Sequence, residues 1–388
     1  AVFAAVPFAD AEDTAGSSTT EAEDNVFSVK IGDAEAQNKN LTEAINAINT
    51  ASSDVIATLL KDIEVDATVN NDKEDAAIKI TNNTVNVTID GANHTVKAKT
   101  ISSGTAGNII LVTGAKNVEI KNLVIDGNSS STVKNDKSGI NVYQSIVTLD
   151  NVTSKNNYAA GMIVGNGSTV TATDITMTGN GWYAINVDSG GAAGTQKLVL
   201  KGSNDLGSGK QIMSEDAFGA NPASTVESDD QEMFGYKNSN DEDWNDGNGA
   251  IWFKDGIMNI PMDSDKITIT VPAGKTLQIA SKFAGTVAGE GKVVLLAGGD
   301  VSGATFESTV ETEIDPTLVS DMVVGGDSVT EETTFGYNQT VTVSKEAGYW
   351  NLVAGAKITI EGTLVVPEGT TLTVQAGAEL TFGNMAKV

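Results

Sequence analysis

The densest concentration of residues able to do chemistry is the run Asn240-Asp-Glu-Asp-Trp-Asn-Asp-Gly-Asn-Gly249. Asp241, Asp243 and Asn245 offer side-chain oxygens at alternate positions, the ligand type calcium takes, and Gly247 permits a sharp turn around an ion. The run is not an EF-hand loop, because Asp246 stands where that loop needs glycine and no glutamate follows at its twelfth position. A solvated acidic loop is the alternative reading of the same residues. Residues 214–246 hold ten acids against the single Lys237, and Phe234, Tyr236, Trp244 and Trp252 accompany them. Exposed rings of this kind stack on sugars, but more often they pin a loop to the body of a protein. Calcium is the only ion the residues suggest, and no cofactor is required.

Other chemistries lack their parts. The sole histidine, His94, stands in the turn-like run Gly-Ala-Asn-His-Thr-Val, which argues for a structural role rather than a place in a Ser-His-Asp triad. Asp229 and Asp230 are adjacent, so on a strand they would point to opposite faces instead of converging on a glycosidic bond. A polysaccharide lyase needs a base and a cationic group to stabilise an enolate. The sequence contains no arginine, which leaves Lys155 and Lys201 as candidates that read more simply as solvated lysines. With no cysteine, thiol chemistry and Cys-ligated zinc are excluded. A formal net charge of −27, from 51 acidic residues against 24 basic ones, repels nucleic acid and leaves cations as favoured company. No residue is assigned a catalytic role.

The elements that must carry these residues are announced by repetition. Four segments align: 109–128, 139–157, 161–180 and 184–204. Ile110, Ile140, Met162 and Ile185 are equivalent at steps of 30, 22 and 23, and Val118, Val147 and Val170 recur at 29 and 23. Each period is one coil of a solenoid, and the longer first step implies a loop at Ser129–Lys137. Coils end at Asn128, Asn157 and Asn180, a structural asparagine ladder whose amides would hydrogen-bond up the stack. An earlier rung spans 78–96, with Val87 preceding Val118 by 31. Forty glycines, aromatics at 5% and abundant Asn, Thr and Val suit short strands joined by tight turns.

Before the first rung, Asn40 as N-cap, Glu43 three residues later and Leu41, Ala44, Ile45 and Ile48 at helical spacing predict a short helix that lids the first open rung. The expected organisation is an N-terminal segment (1–24), a cap (25–76), a β-helix (77–210), an acidic loop insertion (211–262) and a C-terminal β-solenoid (263–388). Within the last part, V-P-x-G-x-T-L-x-[IV] occurs at 271–279 and 366–374 and marks corresponding rungs, whereas 293–344, rich in acids, reads as more irregular. Residues 1–9 are apolar and 10–24 acidic and small. They read either as a signal-peptide remnant with a stalk, or as an added strand in which Val2, Phe3, Val6 and Phe8 contact a neighbouring subunit. No apolar run approaches the roughly 18 residues of a membrane-spanning helix.

Asn-Leu-Thr-Glu-Ala-Ile-Asn-Ala-Ile (40–48), Val-Thr-Ile-Asp-Gly-Ala-Asn-His-Thr-Val (87–96) and the Asn-ended coils together resemble the pectate-lyase-like right-handed parallel β-helix proteins, in particular their adhesin-like and surface-layer-associated members. The resemblance covers residues 26–205. It implies an all-β, right-handed parallel β-helix and, since this scaffold serves enzymes and surface proteins alike, two functional expectations. The first is a non-enzymatic extracellular or cell-surface structural or adhesive protein that associates with itself or with other surface proteins or glycans. The second is a carbohydrate-active enzyme or binding module.

Overall fold

The computed structural model describes residues 24–69, 75–188, 196–207, 212–214, 224–239, 249–328, 332–383 and 385–388. Val2, Phe3, Val6 and Phe8, and the Asp241, Asp243 and Asn245 trio, lie outside the described residues. Among the described residues there is one α-helix, and the strands form open, mostly parallel sheets with no closed barrel.

Two long sheets carry the first half. From Ala76–Ile80 onward the chain passes alternately through them: Asn86–Asp90 in one, Asn108–Thr113 in the other, then Asn117–Asp126, Ile140–Tyr143, Ile146–Lys155, Met162–Gly165, Thr169–Thr173 and Ile185–Val187. Each pair is one coil, and parallel pairing brings equivalent residues into line. Ile78, Ile110, Ile140, Met162, Ile185 and Ile212 form one continuous register. Val55, Val87, Val118, Val147, Val170 and Leu198 form the other. All twelve are buried and belong to a single core. Within the second sheet Asn108–Thr113, Ile140–Tyr143, Met162–Gly165 and Ile185–Val187 are buried on both faces, so Leu111 and Ile163, which point away from that core, are buried as well. This explains why these strands read as unbroken apolar runs rather than as alternation.

The N-terminal end of the stack is closed. Asn40 accepts a hydrogen bond from the Glu43 N–H at 2.8 Å, and Glu43 accepts one from the Asn40 N–H, completing a capping box for helix Leu41–Thr50. Ala44 and Ile48 are buried and Leu41 and Ile45 pack beside them, so the helix lies over the end of the core. Phe27–Ile31 pairs antiparallel with both Val55–Leu59 and Gln37–Lys39, which ends the parallel ladder at this edge.

The insertion is not only a loop. Residues 211–262 supply Gln231–Asn238 and Gly249–Lys254, a hairpin that joins the second sheet by antiparallel pairing with Ile212–Ser214 on one side and Ile267–Val271 on the other. Phe234, Ile251 and Phe253 are fully buried, with Tyr236 and Trp252 nearly so, and their burial offsets the acidity that suggested a solvated loop. One sheet therefore runs through both halves of the chain. Three successive antiparallel pairings reverse the strand direction, so Ile267–Val271 and its parallel neighbours run opposite to the first half.

Beyond the hairpin lie two further cores. Phe253, Leu277, Phe283 and Val293 belong to one; Val341, Trp350, Ile358 and Ile360 belong to the other. The two V-P-x-G runs make the same turn: Lys275 N–H bonds Pro272 O and Thr370 N–H bonds Pro367 O, both at 3.0 Å. Gly274 and Gly369 adopt φ of 77° and 82°, where a side chain would be strained. They fall in different cores, however, the first with Leu277 and Ile279 buried, the second with Val374 exposed. The stretch 293–344 is more regular than its acidity suggested. It forms the short strands Glu311–Ile314, Ser320–Val324, Glu332–Phe335 and Gln339–Val343. The last core is three-sided and has three rungs: Ser320–Val324, Gly326–Ser328 and Glu332–Phe335 stack on Gln339–Val343, Tyr349–Leu352 and Lys357–Ile360, which stack on Thr363–Val365, Thr371–Val374 and Glu379–Phe382.

Candidate functional site

The asparagines singled out by the repeat do not all meet. Asn157 Nδ2 donates to Asn180 Oδ1 at 2.7 Å, and the Asn157 N–H bonds the same oxygen at 3.2 Å. Asn128 takes φ of 51° and turns its amide to Ala98 O, 3.1 Å away. A second ladder, which the sequence reading missed, runs along a bend in the first sheet. Asn151 Nδ2 donates to Asn122 Oδ1 at 3.0 Å, and Asn122 Nδ2 donates to Asp90 Oδ1 at 3.3 Å. Asn122, Asn151 and Asp174 share φ near 50°, a conformation that asparagine and aspartate tolerate better than other side-chain-bearing residues.

The loop at 129–137 builds the most unusual polar environment in the described residues. Gly127 N–H bonds Lys155 O, and Ser129 N–H bonds Asn156 O, so the loop leaves and re-enters the stack at one corner. Ser129 Oγ accepts from the Asn135 N–H at 2.9 Å and donates to Asp136 Oδ1 at 2.6 Å. Tyr158 N–H, from the next coil, donates to the same carboxylate oxygen at 3.0 Å. Asp136 is fully buried, and its Oδ2 has no hydrogen-bond partner among the described residues. Burial pushes this carboxyl up from 3.8 to about 6, against the opposing pull of Ser129 and the Tyr158 N–H, with nearby Asp126 adding to the rise.

Neighbouring oxygens share the condition. Ser138, two residues on, is fully buried, and its Oγ also lacks a partner among the described residues. Asn157 spends its amide nitrogen on Ser154 Oγ and Asn180, which leaves Oδ1 buried and unbonded. Gly139 lies between them. A Cβ there would collide with Ser154 Oγ and come within 3.0 Å of Asn157 Oδ1, so the corner closes only around glycine. Lys155 Nζ lies 3.9 Å from Asp126 Oδ2, and Lys134 Nζ lies 4.5 Å from the centre of the Tyr158 ring.

The remaining candidates are accounted for singly. His94 Nδ1 lies 3.2 Å from Asp62 Oδ1, whose carboxyl is held below its usual range chiefly by the Thr95 N–H. Asp230 accepts from Ser228 Oγ and lies 3.5 Å from Lys254 Nζ. Among the described residues, no group of three or more histidines or acids is arranged to hold a metal, and no helix is long and apolar enough to cross a membrane.

The three-rung C-terminal unit has an open edge in the interior of the chain. Among the described residues Ser320–Val324 pairs only with Gln339–Val343, which leaves its other edge without a strand partner. Met322 and Val324 align with the core residues Val341 and Val343, whereas Asp321 and Val323 point outward, Val323 with 71% of its surface exposed. Val319 beside it is also exposed.

No known protein family, curated protein or solved structure matches this chain.

Proposed function

We propose that the chain is a right-handed parallel β-helix of the pectate-lyase-like kind. It serves as a non-enzymatic extracellular structural or adhesive protein, a stiff acidic rod on a cell surface that joins a second copy of itself by strand addition. The handedness follows from the general rule that crossovers between parallel strands of one sheet are right-handed in about 98% of cases. A structural role is supported by the pairing of charges along the stack, such as Lys197 with Glu227 at 2.6 Å, as expected of a solvated face.

The observation that carries the reading is the unpaired edge of Ser320–Val324, since an exposed edge with apolar outward residues is a template for another strand. Two copies meeting antiparallel about Met322 would set Asp321 opposite Val323 of the other copy, so no like charges face each other directly. Net repulsion between two chains of −27 opposes association, and salt screens it. Sedimentation velocity over a concentration series is the test. The wild-type chain should associate more strongly in high salt, Val323→Lys should remain monomeric, and Ile146→Lys, at an exposed site elsewhere, should behave as wild type. A wild-type chain that stays monomeric at high concentration and high salt would refute the reading.

A further inference from the structure

We propose that the segment 385–387 is a removable strap over a second self-pairing edge, Thr363–Val365, whose partner is the same edge of another copy. Thr363–Val365 ends the sheet that Ser320–Val324 begins, with Gln339–Val343 between them. The strap lies along its outer side. Lys387 pairs parallel with Thr363: its N–H donates to Gly362 O at 3.1 Å, and its carbonyl accepts from the Leu364 N–H at 2.8 Å. The edge therefore takes a strand, and the effect of covering shows within its own rung. Leu364, beside the strap, is 2% exposed. Val374 and Phe382 align with the buried Leu352 and Ile360 on the two sides that no strand covers among the described residues, and they are 45% and 44% exposed.

The strap is held lightly. Met385 is its one buried side chain, seated in the core of Phe253, Leu277, Phe283 and Val293, while Lys387 is exposed. Lys387 Nζ donates to Thr312 O, and beside the strap lies a cavity of about 170 Å³ that Thr312, Glu313, Thr340 and Thr363 also line. Segments with few buried apolar contacts open locally at far less cost than global unfolding. Opening leaves a second tie between the units, because Tyr337 packs on the same core and its hydroxyl donates to Gly299 O at 2.8 Å. What opening uncovers is the run 362–366, five uncharged residues in a chain of net charge −27, where two copies can approach without direct repulsion. Meeting antiparallel about Leu364, they would exchange the Leu364 N–H and carbonyl and set Thr363 opposite Val365, so Leu364 stays inward and no like charges face each other. With Ser320–Val324 at the far edge of the same sheet, an open strap makes the chain bivalent and extends dimers into fibres. This deepens the assembly reading and rests on it only for the junction at Ser320–Val324.

Sedimentation velocity in high salt on full-length variants tests the strap. Val323→Lys blocks the first edge. Met385→Ala with Lys387→Pro opens the strap, since proline lacks both the N–H that reaches Gly362 and the ammonium that reaches Thr312. Opening the strap in the Val323→Lys chain should double its sedimenting mass, and adding Val365→Lys, a charge on the new edge, should restore the monomer. Opening it with the first edge intact should give species larger than dimers. A strap-opened Val323→Lys chain that stays monomeric overturns the inference, as does a dimer that survives Val365→Lys. If the strap-opened chain with both edges stops at dimers that Val365→Lys abolishes, the Ser320–Val324 reading fails and the strap stands. Single-amide hydrogen exchange on the wild type decides the matter if the strap variant does not fold. The Leu364 N–H should exchange at least about tenfold faster than the Val341 N–H of the neighbouring strand. Equal protection would make the strap a fixed part of the sheet and overturn the proposal.

Discussion

Replacing Asp136 with asparagine should make the chain more stable at neutral pH, and the gain should disappear in acid. In the unfolded chain this carboxyl titrates near 3.8; in the fold, burial moves it to about 6. A folded-state value above the unfolded one means that the folded chain holds the proton more tightly. The stabilisation is thus full below pH 3.8 and is lost as pH rises through about 6. The separation corresponds to about 3 kcal/mol, and because Asp136 is fully buried no solvent screening reduces it. Asparagine keeps the oxygen that Ser129 and Tyr158 bond and cannot ionise. Urea unfolding followed by circular dichroism gives the comparison at each half unit between pH 4 and pH 7.5. Exposed carboxylates held low by hydrogen bonds, such as Asp54 and Asp66, lose their stabilisation as pH falls, and so shape both profiles alike. Only the difference between mutant and wild type is diagnostic. It should be about 0.5 kcal/mol at pH 4 and rise to about 3 kcal/mol by pH 7. Parallel profiles would refute the claim that Asp136 ionises at a cost inside the fold.

Ile140→Ala removes a side chain buried between Ile110 and Met162 and should cost about 2–5 kcal/mol, whereas Ile146→Ala, at a position 54% exposed, should cost under about 1 kcal/mol; urea midpoints separate the two. Asn151 takes φ of 52°, so Asn151→Gly should lose only its ladder bond, about 0.5–1 kcal/mol, while Asn151→Val should cost more than the glycine variant by a further 1–2 kcal/mol; thermal melts of the pair read the difference.

The stacking was legible because one requirement writes itself repeatedly into the sequence. An inward position must be apolar in every coil, so Ile110, Ile140, Met162 and Ile185 can be aligned from spacing alone, and they are in fact register partners. The left-handed positions Asn122, Asn151 and Asp174, the first two of them ladder members, follow the same steps of 29 and 23 and could have been read in the same way. The asparagines at coil ends are the more conspicuous repeat, and there the loop after Asn128 breaks the pattern. Asp136 leaves no such trace. In sequence it belongs to the polar run Lys-Asn-Asp-Lys-Ser, and nothing local says that Asn135, Asp136 and Ser138 are covered while Lys134 faces solvent. The burial of Asp136 comes from Tyr158 and Asn157, one coil further on.

Strand direction was illegible for a different reason. Alternation of apolar and polar residues has a period of two whichever way a strand runs, so Lys266-Ile-Thr-Ile-Thr-Val271 looks the same parallel or antiparallel to its neighbour. Direction is set by the connection that precedes it. Here that connection is the hairpin Gln231–Asn238 with Gly249–Lys254, whose apolar rows are separated by the acidic run and so did not read as a pair. The hairpin does two things at once. Trp252 belongs to the first core and Phe253, the next residue on the same strand, to the second, so one strand closes the first stack and opens the other with its two faces. A parallel coil at this point would have left its outward face to solvent. The antiparallel reversal turns that face into the floor of a new core, and this joins two stacks that run in opposite directions without exposing the end of either at the junction.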